Sequence, residues 1–223
     1  MRTPPVGAEP DRAATPARAG GALLATGVRA LAALRRAPKP FHPRGRVATG
    51  VVRRHGGGPP TGVPWLQEMG EEPVLVRLSR AVGLPALAPD IFGIALRIPG
   101  EHGPSDLLLA TTGSSVVTRF VLTPHREGHE RTYGSLLPYR SPTGPVLLGA
   151  TRTGERTFEL RWARPGGRWN TYGRLELDRE PGEDEQISFD PVANPLPGLE
   201  NYEWVRRLRQ PSYRVARRSS GRA

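Results

Sequence analysis

The chain contains no cysteine, and of its 32 basic residues only Lys39 is a lysine. The missing thiols exclude a disulfide framework, zinc–thiolate and iron–sulfur centres and a cysteine nucleophile, and they fit a reducing, cytoplasmic setting. Long apolar runs are missing too. The most hydrophobic early stretch, GALLATGVRALAALRR at Gly21–Arg36, is too short and too interrupted by arginine to span a bilayer, so no membrane partner is expected. Also absent are a Gly-x-Ser-x-Gly elbow, a P-loop and a dinucleotide fingerprint in a strand–helix context.

What the chain has in quantity is arginine, glycine and proline. The formal net charge is +11, which would draw phosphate-rich partners at low salt. The arginines, however, run along the whole chain with Asp and Glu interleaved, the pattern of a solvated surface rather than of a nucleic-acid-binding stripe. With 27 Gly and 25 Pro among 223 residues, the sequence calls for many turns and few long helices. That length suits one sizeable core with tails.

Residues 1–20, rich in Pro, Ala, Gly and Arg, have little to bury and read as a disordered tail. Gly21–Arg36 has Leu and Val at helical spacing and Arg at its end, where positive charge suits a helix C-terminus. Its basic residues follow the apolar stretch, the reverse of a signal peptide, so it reads as a helix on the domain's surface. From there short apolar runs alternate with turn residues. Strands are expected at Arg46–Arg53, Val74–Leu78, Ile91–Ile98, Leu107–Ala110, Val116–Leu122, on both sides of a turn at Ser141–Gly144, and at Phe158–Ala163 and Gly173–Leu177 around Pro165–Gly167. Strands so spaced, with no helices between them, indicate an antiparallel sheet closed into a barrel. The expected class is α+β but mainly β, with residues 21–190 forming the barrel and its leading helix, and 191–223 an extended segment and a C-terminal helix interrupted at Pro211.

The centre of the pattern is Pro73–Gly113. Arg77, Ser79 and Arg97 lie in otherwise apolar strands, and Asp90 and Asp106 open the next two. An arginine is buried only when paired, which makes this stretch the place to look for a ligand.

In order and spacing these motifs resemble the core barrel of the haem catalase superfamily. His42-x-x-Gly45 with Gly50 beyond it is similar to the stretch holding the distal histidine of catalases. Val76–Ser79 resembles the Val-Arg-Phe-Ser strand, and Asp90-x-x-Gly93-x-Ala95-x-Arg97 resembles Asp-x-x-Gly-Phe-Ala-x-Lys. Asp106-Leu107 follows sixteen residues after Asp90, as in the family, and Tyr133–Ser135 resembles its later Tyr-Gly-Ser.

The resemblance implies a haem protein with peroxidase or hydroperoxide-processing activity. His42 would be the acid/base, whose near-neutral pKa suits proton shuttling. Ser79 would orient it, and Arg77 would bind a haem propionate through its planar fork. The family's distal asparagine, expected five residues beyond Asp106, is replaced by Thr111, and the arginine three residues before the histidine by Lys39. Arg209 and Tyr213, in Arg-x-x-x-Tyr spacing with Pro211 between them, would supply a tyrosinate ligand to iron. The imidazole, hydroxyl and guanidinium are expected to converge inside the cylinder.

Two alternatives stay open. One is a haem-free barrel binding another apolar or amphipathic ligand. The other is a metal-dependent hydrolase such as a phosphodiesterase, using the imidazoles and carboxylates of His125–Glu130 with Asp90 and Asp106. The partners expected are a small-molecule peroxide or an apolar ligand, without nucleic acid or membrane, and self-association as a homo-oligomer is left open.

Overall fold

The computed structural model describes residues 44–80, 88–126, 130–183 and 187–207. The expected leading helix lies outside them. Ten strands follow in chain order: β1 (Arg44–Arg54), β2 (Gly70–Arg80), β3 (Phe92–Ile98), β4 (Ser105–Thr111), β5 (Thr132–Gly134), β6 (Tyr139–Ser141), β7 (Gly144–Arg152), β8 (Thr157–Ala163), β9 (Asn170–Leu177) and β10 (Glu200–Asn201). Every pairing is antiparallel. Strands β1–β2–β3–β4–β5–β7–β8–β9 close on themselves through the β9–β1 pair, giving an eight-stranded barrel, with β6 and β10 as an outer flap on β7.

Period-two alternation decides which side chains fill the cylinder. Val74 and Val76, Ile94 and Leu96, Leu107 and Leu109, Leu148 and Ala150, Phe158 and Leu160, and Leu175 and Leu177 point inward and form one continuous buried cluster with Trp162 and Tyr133. The interior is thus a packed core and not a cavity. Each Val, Leu, Ile or Phe side chain among them contributes about 1.5–3 kcal/mol by leaving water.

The outer surface divides in two. On β2, β1, β9 and β8 it is charged: Arg53 donates to Glu71 (3.0 Å) and Glu176 (2.6 Å), and Arg161 pairs with Glu159 (3.0 Å). This is the face turned to solvent. On β3, β4 and β5 it carries small and apolar side chains together with the Arg97–Asp106 pair, to which the chain after β9 is fastened.

Two local expectations are corrected. Val116–Leu122 is not a strand: residues 114–117 turn, and Thr118–Phe120 form a 3₁₀ turn capped by mutual bonds of Ser115 and Thr118. Val116 and Val117 stay exposed, so their β propensity finds no partner strand. The sequence reads as helical from Glu200, but the helix starts at residue 203, because Glu200 and Asn201 are held in β10 against β6. No helix among the described residues is long and apolar enough to cross a membrane.

Candidate functional site

The register fixes which side chains share the outer face. One cross-strand row reads Gly45, Ser79, Gly93, Ala110, Gly134, Gly149, from β1 through β7. Six consecutive positions carry nothing larger than a serine hydroxymethyl. Strands about 4.8 Å apart therefore present a broad, nearly bare backbone strip. The next row, Val47–Arg77–Ala95–Leu108, sets Arg77 beside it.

The strip is bounded at both ends. At β1, a Cβ on Gly45 would stand 2.5 Å from Cζ of Arg77, so the guanidinium lies over that glycine. At β7, a Cβ on Gly149 would stand 2.9 Å from the Trp169 ring, whose Nε1 donates to the Ser114 carbonyl at 2.9 Å and whose face receives Arg119 at 4.7 Å. Burial lowers the pKa of Arg119 from its ordinary value, and its guanidinium donates to the carbonyls of Ser115 and Arg164.

Further along β3 and β4, four residues from the strip, the returning chain is fastened to the barrel. Asp106, whose side chain is 0% exposed, takes a two-point bond from Arg97 (2.8 and 2.9 Å), the Asp190 amide (2.8 Å) and Asn194 Nδ2 (2.9 Å). Arg97 also donates to the Ser188 carbonyl at 2.6 Å, and its bonding to Asp106 raises its pKa above the usual arginine value. The strap so anchored delivers residues 203–207, where Val205 packs on Leu136 and Leu137 against Ala110 and Leu122.

Of the residues read from the sequence, Arg77 and Ser79 meet on this face, outside the barrel and not within it. The reason is the alternation of β2, which gives Val74 and Val76 to the core and the odd positions to the exterior. Thr111 does not join them. It lies on the core face of β4, fully buried, donating to the Thr123 carbonyl (2.8 Å) and accepting from the Phe92 amide (3.2 Å). Its hydroxyl ties β4 to its neighbours, and the strip receives Ala110 instead. His42, Lys39, Arg209 and Tyr213 lie outside the described residues.

The acidic residues are also accounted for. Arg97 is paired with Asp106 rather than with a ligand. Asp90 precedes Arg97, the partner of Asp106, by seven residues in the same stretch of chain, roughly 23 Å along a strand, where its main chain bonds both ways to His125 and its carboxylate faces Arg80 at 3.5 Å. The two aspartates cannot share a metal, and among the described residues no three His, Asp or Glu side chains could hold one.

One polar group on the strip had no sequence signal of its own. Thr112 is 1% exposed, and its Oγ1 has no hydrogen-bond partner among the described residues. It shares the outward parity of Ala110, and a Cβ on Gly134 would come within 2.8 Å of that oxygen. The alternation Leu107, Leu109, Thr111 already marks the odd positions of β4 as core, and extending it would have put Thr112, not Thr111, outside. A bare strip, a guanidinium on the same face and an orphaned hydroxyl fit a flat, carboxylate-bearing macrocycle such as haem.

No family model matches the chain, and neither does any curated protein. Among solved structures, a bacterial catalase is similar over 86% of this chain, with a TM-score of 0.58 and 14% identity. The chain spans 59% of that catalase's length. At this identity the likeness is one of fold: the chain carries a closed antiparallel barrel like that of a catalase.

Proposed function

We propose that the outer strip of β1–β5 is a haem site and that the protein is a catalase-like haem protein processing peroxide or organic hydroperoxide. The observation that carries this is the sharing of one face by Arg77, Ser79 and the side-chain-poor row. Arg77 would hold a propionate through its fork. Ser79 would bond the imidazole of His42, which precedes β1 by two residues, fixing its tautomer and orientation. His42 would accept a proton from bound hydroperoxide and return it to the departing oxygen. Tyr213, with Arg209 four residues earlier to favour its ionised form, would ligate iron. Bound there, haem would supply the redox chemistry.

The test is the absorption spectrum after reconstitution with hemin. A Soret band lost in Tyr213→Phe supports the reading, and a protein that stays colourless overturns it. A second reading is favoured by Ala110, which presents only a methyl to the strip while the Thr111 hydroxyl faces the core: the strip would then take an apolar, iron-free ligand. In that case hemin gives no band while an apolar ligand raises the melting temperature.

A further inference from the structure

We propose that the Thr112 hydroxyl is the group with which β4 binds the oxygen-bearing substrate, a hydroperoxide, on the strip. This deepens the haem reading and rests on it. Thr111, the residue assigned by spacing, spends its hydroxyl on Thr123 and Phe92 at the opposite face. Thr112 has its backbone engaged, with its amide donating to the Thr132 carbonyl at 3.0 Å and a bridge to Leu122, so the side chain is held in place. Its Oγ1 is buried with no partner among the described residues, a state that costs folding free energy and that a ligand oxygen relieves.

Gly134 keeps the space beside it open. A Cβ there would touch Thr112 Oγ1 at 2.8 Å and Cγ2 at 3.4 Å, so any other residue at 134 would cover the hydroxyl. The main-chain carbonyl of Arg119 stands 3.7 Å from the same point. A carbonyl cannot donate. The hydroxyl can both donate and accept, which suits the peroxide function, with one oxygen to accept and one O–H to give.

The experiment reconstitutes the full chain with hemin and titrates fluoride, a small hydrogen-bond acceptor that binds ferric haem, in the wild type and in Thr112→Val, Thr112→Ser and Thr111→Val. Thr112→Val should keep a Soret band and an apoprotein melting temperature no lower than the wild type's, yet bind fluoride about three- to tenfold more weakly, the range of a single hydrogen bond. Thr112→Ser should restore the affinity. Thr111→Val should melt lower with fluoride binding unchanged. Equal fluoride affinity in Thr112→Val and wild type, or a lowered apoprotein melting temperature in Thr112→Val, overturns the assignment and leaves the haem reading standing. A wild type without a Soret band overturns both.

Discussion

Arg97 and Asp106 face each other across β3 and β4 in a two-point bond of 2.8 and 2.9 Å, and the carboxylate end of that bond is also where residues 188–195 are fastened to the barrel. The pair is asymmetric, with the arginine side chain 28% exposed and the aspartate 0%. Removing the buried partner frees the Asp190 amide and Asn194 at once, whereas the arginine left behind can turn to water.

Asp106→Ala should therefore destabilise the protein by about 3–4 kcal/mol, the lower part of the range for breaking a buried pair, since partial exposure of Arg97 softens its loss. Asp106→Asn keeps the shape and one acceptor and should cost less. The midpoint of denaturant unfolding measures both. Limited proteolysis should show new cleavage within residues 187–201 of Asp106→Ala before the barrel is cut. Equal midpoints for Asp106→Ala and wild type would refute the anchoring role.

Gly45 is the seat of Arg77. A methyl there meets the Cζ, Nε and Nη2 atoms of the guanidinium, each at 2.5 Å, and these form the movable end of a long side chain. Gly45→Ala should thus cost little in folding yet turn Arg77 off the strip. The expected result is a melting temperature within a few degrees of the wild type's with hemin affinity lowered several-fold. Arg77→Ala should show the same loss, and the double variant no further loss, since both act through one guanidinium.

Much of the architecture could be read from alternation. Val74 and Val76 against Arg77 and Ser79 settle which residues are core, and Pro165–Gly167 and Ser141–Gly144 mark turns that the structure keeps. What could not be read was register. A strip made of Gly45, Ser79, Gly93, Ala110, Gly134 and Gly149 exists only once strands far apart in sequence are aligned, and glycine announces no face of its own. The reading of Thr111 failed for a related reason, since motif spacing counts residues without asking which side of the strand each one takes. Arg97 and Asp106 were singled out as ionisable groups in apolar strands, but whether they serve a ligand or each other is a matter of pairing across β3 and β4.

Val205 is fully buried against Leu136 and Leu137 at the margin of the strip, and the chain continues from there toward Arg209 and Tyr213. Val205→Asp would bury a carboxylate among apolar side chains, where the helix comes away sooner than the charge is accommodated. The barrel, with its own core, should keep its near-native circular dichroism while hemin affinity falls at least tenfold. Retention of full affinity would show that residues 203–207 do not help place Tyr213, the proposed iron ligand.

Tyr172 makes the alkaline limit of the fold predictable. It is 1% exposed, and burial pushes its phenol up to about 12, against the opposing pull of the Trp65 side chain and then of the Arg54 charge. Tyr133 shifts in the same direction, chiefly through burial. A phenol near 10 in the unfolded chain and near 12 in the folded one favours the folded state fully below pH 10, and this contribution disappears as pH climbs toward 12. Two pH units correspond to roughly 2–3 kcal/mol for Tyr172 alone, a sizeable part of a domain's stability. The melting temperature should be flat with respect to tyrosine ionisation up to about pH 10 and then fall, with phenolate absorbance at that residue rising together with unfolding rather than before it. Tyr172→Phe should move the onset of this fall to higher pH, and an unchanged onset would mean that another group sets the limit.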